Sequence, residues 1–245
     1  LHMYEGKMVC RNAIYVDNDV RNLTIHNNTL TVTGVQSNGI YLEGLGTTLG
    51  NISENTISAS GVNGVGIFAS NSANNLTIKS NNLVLSNSAG IYLFSANDSL
   101  VSGNNFVVNG NSVTNILVQD SHRNTIEYNN ITGIGYSSLI GVSIVDYSGN
   151  NWIGENNITL QGASATGISL SRDSANDPFN NTFYNNNVTA DIPISDVKPT
   201  SLSNSLIYNN SFGWINWTLS NLTTNMNLSI NKTIYLMDNI SGISD

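Results

Sequence analysis

Asn124-Thr125-Ile126-Glu127-Tyr128-Asn129-Asn130-Ile131 contains, between Ile126 and Ile131, a six-residue frame: apolar-x-x-Asn-x-apolar. The frame stands eight times along the chain. Its Asn residues are Asn28, Asn55, Asn81, Asn104, Asn129, Asn156, Asn186 and Asn210, at spacings of 27, 26, 23, 25, 27, 30 and 24. The flanking apolar pairs run from Ile25/Leu30 through Ile52/Ile57, Ile78/Leu83, Val101/Phe106, Ile126/Ile131, Ile153/Ile158 and Phe183/Val188 to Ile207/Phe212. A period in the twenties with one fixed polar position predicts a solenoid. Asn suits that position because it tolerates a left-handed bend and its amide both donates and accepts, so stacked copies can bond from coil to coil. The eight Asn residues are therefore expected to form an internal ladder.

Upstream of each frame is a second apolar pair at alternate positions: Ile14/Val16, Ile40/Leu42, Ile67/Ala69, Ile91/Leu93, Ile116/Val118, Val142/Ile144, Ile168/Leu170 and Ile192/Ile194. Period two means a strand with one buried face. Gly39, Gly66, Gly90, Gly141 and Gly167 open several of these strands, which suggests close backbone approach or positive φ at a corner. A third apolar piece follows the frame in several coils, as at Leu83-Val84-Leu85. Three short strands per coil make a triangular prism, and equivalent strands about 4.8 Å apart would give eight coils roughly 38 Å of core. No helical stripe competes with this pattern. The fold expected is all-β, a single-stranded parallel β-helix of about eight coils over residues 12–212. Residues 1–11 read as an N-terminal edge cut from a longer protein. Residues 213–245 leave the frame and read as a degenerate last coil, a cap or the start of a following β domain.

The solenoid repeat, with its Gly-Ile-x-Leu strand followed by Asn-x-Ile-x-x-Asn-x-Ile, resembles the right-handed parallel β-helix repeat proteins. That group includes NosD-like periplasmic proteins, sugar hydrolases and lyases, and large surface and adhesin-like proteins of methanogenic archaea. The resemblance covers residues 14–212 and implies the fold. For function it implies a choice between a structural element and a carbohydrate-active protein.

Charged residues are only 10% of the chain and its net charge is −8, with four Arg and four Lys scattered along it. That excludes a phosphate-binding stripe, so nucleic acid is not an expected partner. No apolar run reaches the ~20 residues a bilayer span needs. The single cysteine, Cys10, excludes an internal disulfide. The three His and four Met are dispersed, so no metal site and no cofactor is expected. Fifteen Asn-x-Ser/Thr sequons, among them Asn22, Asn75, Asn130, Asn157 and Asn216, are glycosylation candidates for an exported protein, although an Asn- and Thr-rich repeat generates sequons by itself.

Two surface features carry candidate function. Between the two buried positions of the long strand lies an outward residue, which down the coils reads Tyr15, Tyr41, Phe68, Tyr92, Leu117, Ser143, Ser169 and Pro193. Four aromatics in line would offer π-faces to sugar rings or an apolar seam to another subunit, or would simply stack on one another. The corner after that strand carries Asp17, Gly46, Ser70, Ser95, Asp120 and Asp146 in successive coils. Asp120 and Asp146, one coil apart, with His122 and Arg172 nearby, are a minority candidate for acid–base attack on a glycosidic bond. The competing reading is that Asp favours tight turns. Taken together the sequence favours a non-catalytic extracellular protein of the cell surface: a surface-layer, sheath or filament component, or an adhesin. Its expected partners are itself, other cell-surface proteins or glycans. The alternative is a carbohydrate-binding or polysaccharide-degrading β-helix protein.

Overall fold

A computed structural model describes residues 2–4, 7–9, 11–18, 20–44, 49–135, 137–172, 176–196 and 205–214. Three parallel sheets of eight strands each form the walls of a prism. Sheet A stacks the longer strands, Asn12–Val16, Asn38–Glu43, Gly64–Ser70, Ser88–Phe94, Thr114–Gln119, Ile140–Val145, Thr166–Ser171 and Ile192–Asp196. Sheet B stacks three-residue strands that run from Thr24–His26 to Leu206–Tyr208, and sheet C runs from Thr29–Val32 to Ser211–Trp214. Each coil passes A, B and C in turn, so the sequence frame straddles the corner between B and C. His2–Tyr4 and Lys7–Val9 pair antiparallel as a separate two-stranded sheet.

The alternating apolar residues point inward and close the core. Ile40, Ile67, Ile91, Ile116, Val142 and Ile168 on sheet A, and Ile52, Ile78, Val101, Ile126, Ile153 and Phe183 on sheet B, are all fully buried. Burying such a side chain is worth about 1.5–3 kcal/mol. The strand glycines sit where the backbone of the next coil presses closest: a Cβ on Gly66 would lie 2.7 Å from the Gly90 carbonyl oxygen. Close approach, not positive φ, is what requires glycine there.

The Asn ladder is built as a chain of shared acceptors. At each rung the backbone N–H and the Nδ2 of one Asn both donate to Oδ1 of the Asn one coil on, as from Asn129 to Asn156 at 3.1 and 3.0 Å. The second Nδ2 hydrogen reaches back to a sheet B carbonyl one coil earlier, Val101 for Asn129 at 2.9 Å. The pattern continues through Asn28, Asn55, Asn81, Asn104, Asn129, Asn156 and Asn186 to Asn210. The six middle members are buried to 1% exposure or less.

The structure moves four details of the sequence reading. The left-handed bend falls one residue before each ladder Asn, on Asn27, Glu54, Ser80, Gly103, Tyr128, Glu155, Asn185 and Asn209, with φ between 49° and 62°. The turn is made there so that the Asn itself can aim its amide along the axis. A second internal ladder stands at the A/B corner, where Asn124, Asn151 and Asn181 repeat the same bonds and Ser99 takes the equivalent place one coil below, while Ser121 and Ser148, three residues ahead of Asn124 and Asn151, form a separate hydroxyl column beside them. Its signal was the Asn two residues ahead of the frame's first apolar residue. In the last coil, Ser169 pairs with Ser195 and Ile168 with Ile194, so Ser195, not Pro193, continues the outward column. Finally, Gly213 and Trp214 pair with Thr189 and Ala190, so the last coil runs to 214. Residues 215–245 lie outside the described residues.

Replacing Asn129 by Leu leaves the backbone N–H and Nδ2 of Asn104 without their shared acceptor and takes the Nδ2 donor away from Asn156 Oδ1 and from the Val101 carbonyl, so that Asn156 Oδ1 keeps only the backbone N–H of residue 129. At about 1–3 kcal/mol for each buried group left unpaired, Asn129→Leu is expected to cost several kcal/mol in chemical denaturation. Asn109→Leu, at an exposed strand end, is expected to change stability by less than about 1 kcal/mol. Equal losses for the two would disprove the ladder's role.

Candidate functional site

On the outer face of sheet A, cross-strand register places Tyr15, Tyr41, Phe68, Tyr92 and Leu117 in one column. The rings stack on one another. Tyr41 and Phe68 lie 5.0 Å apart at 15°, Phe68 and Tyr92 4.8 Å apart at 11°, and Tyr15 closes the lower end tilted by 48°. Such pairs add about 0.5–1.5 kcal/mol each beyond the area they bury. Stacking also corrects the expectation of free π-faces, because Phe68 is covered on both sides and the column shows its ring edges to solvent. Its hydroxyls are tethered along one margin: Tyr15 donates to Glu43 Oε2 at 2.7 Å, Tyr41 Oη accepts from Ser70 at 3.2 Å, and Tyr92 donates to Gln119 Oε1. Gln119 in turn donates to Asp146 Oδ2 at 2.8 Å. On the opposite margin a shallow depression of about 220 Å³ opens against Tyr92, lined by Asn63, Asn87, Ser88, Ser112 and Thr114. Higher up, Ser143 and Ser169 hold the same outward position but are 4% and 7% exposed, so the open strip belongs to the first five coils.

The strip runs into the A/B corner. Gln119 pairs with Val145 and Val145 with Ser171, so Asp120, Asp146 and Arg172 follow one another up one column, as their positions in sequence suggested. Ser70 is one place out of that column, inside its strand. Ser95, Asp120 and Asp146 adopt left-handed backbone, with φ of 51°, 49° and 54°, which short polar side chains tolerate best. Asp146 is 2% exposed and held by Gln119. Arg172 faces Asp177 at 3.5 Å. His122 sits beside them, its Nδ1 accepting the Gly149 N–H at 3.1 Å, so a neutral ring carries its proton on Nε2. Tyr147 and Phe179 pack on it at 5.3 and 5.9 Å. Arg123 grips Asp98 through two bonds of 2.7 and 2.8 Å and holds that carboxyl below the usual range. The geometry brings the minority catalytic residues together, but it commits Asp146 and Arg172 to neighbouring side chains and Asp120 to a turn.

A family model described as "Right handed beta helix region" matches residues 12–153. The chain belongs to that family. Among solved structures, this β-helix is similar to the periplasmic alginate epimerase AlgG, with a TM-score of 0.66 and 18% identity over 82% of the chain. It spans 47% of that neighbour's length, and at this identity the likeness shows the fold. The A-module of the Azotobacter vinelandii mannuronan C-5 epimerase AlgE4 aligns at 11% identity over 84% of this chain and 80% of its own, but with a TM-score of 0.24, too low to carry an argument. Among curated proteins no sequence match is found. No described helix is long and apolar enough to cross a membrane.

The β-helix places the sequons differently from one another. Asn22 and Asn75 are exposed at left-handed corners before sheet B strands. Asn130 and Asn157 instead belong to an outward row on sheet C, where Asn82, Asn105, Asn130, Asn157 and Asn187 bond side chain to side chain at 2.9–3.0 Å. A glycan on one of these would have to break into that row. Asn216 lies outside the described residues. Asp17 turns its Oδ1 onto Asn18.

At the foot of the column, the Glu43 carboxylate accepts the Tyr15 hydroxyl and pushes its pKa up from 10.0 to about 12. The fold therefore favours the neutral phenol. Its contribution is present below about pH 10 and is lost as pH rises toward 12. Glu43→Gln removes the charge, so an ultraviolet titration of phenolate should show one tyrosine of the ten returning toward the ordinary range. Superimposable titrations of the parent and the variant would refute the contact.

Proposed function

We propose that this β-helix is a non-catalytic, glycan-contacting element of an extracytoplasmic protein, with its contact strip on the outer face of sheet A. The observation that carries the reading is an amphipathic strip: a column of aromatic edges with tethered hydroxyls on one margin and, on the other, an uncharged depression lined both by Asn, Ser and Thr side chains and by Val65, Ala89 and Leu117. A pyranose chain is itself amphipathic, with apolar C–H patches to lie in van der Waals contact along the column and oxygens and hydroxyls for the positive ring edges and the Asn, Ser and Thr side chains. The depression is lined by neutral groups, which suits sugar hydroxyls better than phosphate or peptide charge. A periplasmic protein that acts on alginate shares the fold, which supports both the location and the substrate class. The non-catalytic half rests on the corner, where Asp146 is buried and bonded to Gln119.

A panel of soluble neutral and acidic polysaccharides, examined by affinity electrophoresis and calorimetry, tests the proposal. At least one is expected to bind, and Tyr92→Ala is expected to weaken it about tenfold, equivalent to about 1.4 kcal/mol, while circular dichroism shows the β-helix intact. The bound glycan is expected to remain uncleaved. Release of sugars that Asp146→Asn abolishes would restore the enzyme reading. No binding to any glycan, combined with sedimentation as an oligomer that Tyr41→Ser and Tyr92→Ser disperse, would make the strip a subunit seam in a surface assembly.

A further inference from the structure

Sheet B carries a second aromatic surface that the repeat pattern does not announce. In its outward columns Thr125 is followed by Trp152, Thr182 and Leu206, and Glu127 by Gly154, Tyr184 and Tyr208. Trp152 and Tyr184 meet edge to face with centroids 5.4 Å apart, and Tyr208 stacks on Tyr184 at 5.9 Å and 23°. Gly154 makes this arrangement possible. The three coils below it carry Lys79, Ser102 and Glu127 at the same place. At Gly154 a Cβ would collide with Cε1, Cζ and Cδ1 of Tyr184. The ring thus lies over the missing side chain as a low platform, with Trp152 set against it at 75°. The platform is open to solvent, since Trp152 is 47% exposed, Leu206 54%, and Tyr128 at its margin 60%.

We infer that this face is a second glycan-binding platform, selective for an uncharged polysaccharide. The charge around it argues for that occupant. Glu127 and Glu155 are the carboxylates whose fields reach Tyr184, and Glu155 is further fixed by Asn185 Nδ2 at 2.8 Å. The cation in the Glu127 column, Lys79, stands two coils below it. The whole chain carries −8. A polyuronate or a phosphorylated polymer would meet like charge here, whereas sugar hydroxyls can donate to the two carboxylates while the ring C–H faces rest on Trp152 and Tyr184. Desolvation around the Tyr184 hydroxyl, which raises its pKa, agrees with a ring packed down rather than standing in water.

The test uses the full chain and isothermal titration calorimetry with a soluble uncharged β-glucan, a galactomannan and a polyuronate of similar length. The uncharged polymers are expected to bind and the polyuronate to bind at least tenfold more weakly. Trp152→Ala should abolish the uncharged binding. Gly154→Ser, which keeps every aromatic residue but lifts Tyr184 from the sheet, should weaken it about tenfold with an unchanged melting temperature. Asn109→Ala, at an exposed strand end of sheet C outside both surfaces, should leave it unchanged. Binding that survives both Trp152→Ala and Gly154→Ser, or stronger binding of the polyuronate, would overturn the inference. Loss of binding through Tyr92→Ala alone would do the same while upholding the sheet A strip.

Discussion

Everything in this molecule depends on one oxygen per coil accepting two N–H groups from the coil below it. A buried amide is costly unless its donors and acceptor are all used. In the B/C corner they are, since Oδ1 takes a backbone and a side-chain donor while Nδ2 serves the next Oδ1 and a carbonyl. Because the backbone N–H of the corner is part of the arrangement, the side chain sets the direction in which the main chain turns. The bond lengths stay between 2.8 and 3.1 Å along the entire column although the coils differ in length by several residues. Corners elsewhere absorb the difference. The bend itself imposes left-handed backbone on residues as unsuited to it as Glu54, Glu155 and Tyr128. That conformation costs about 1–2 kcal/mol for an ordinary residue, which only a fully bonded neighbour could hold in place.

Such a framework spends its polarity inside. Asn, Ser and Thr do the work that charges do on other surfaces, so features on the outside stand out against a neutral field. On sheet A the aromatic column has the same logic as the Asn ladder, with like residues stacked from coil to coil. On sheet B the aromatic residues break register, a glycine replaces a side chain, and carboxylates gather. The first surface is what repetition produces, and the second is a departure from it.

The parts of the fold that repeat were readable in the chain, and those that do not repeat were hidden. Asn129 and its seven counterparts announced themselves by spacing, and Ile116/Val118 or Val142/Ile144 announced a buried face by alternation. The β-helix and its ladder followed directly. The second ladder through Asn124, Asn151 and Asn181 was visible only in some coils, because Ser99 takes its place in another. The last strand was misaligned by two residues at Pro193, since Ile192 and Ile194 satisfy alternation in either register and only pairing with Thr166 and Ile168 decides between them. At the candidate sites the sequence placed Tyr15, Tyr41, Phe68 and Tyr92 on one outward line but could not tell ring faces from ring edges. Trp152, Tyr184 and Tyr208 come from three coils and two different columns, so nothing in a linear reading joins them.

The shared-acceptor ladder also decides how the molecule would bear a load. Its bonds, like those of the three sheets, run along the prism axis, so a pull on the two ends of the stack reaches every rung in series. Each coil is held to its neighbours alone, which lets rungs give way singly while the others stay closed. A released coil of some 25 residues pays out on the order of 80–90 Å of extended chain. In a β-helix of this construction the resistance of the whole stack to such a pull is set by its weakest rung, because each coil contacts only its neighbours.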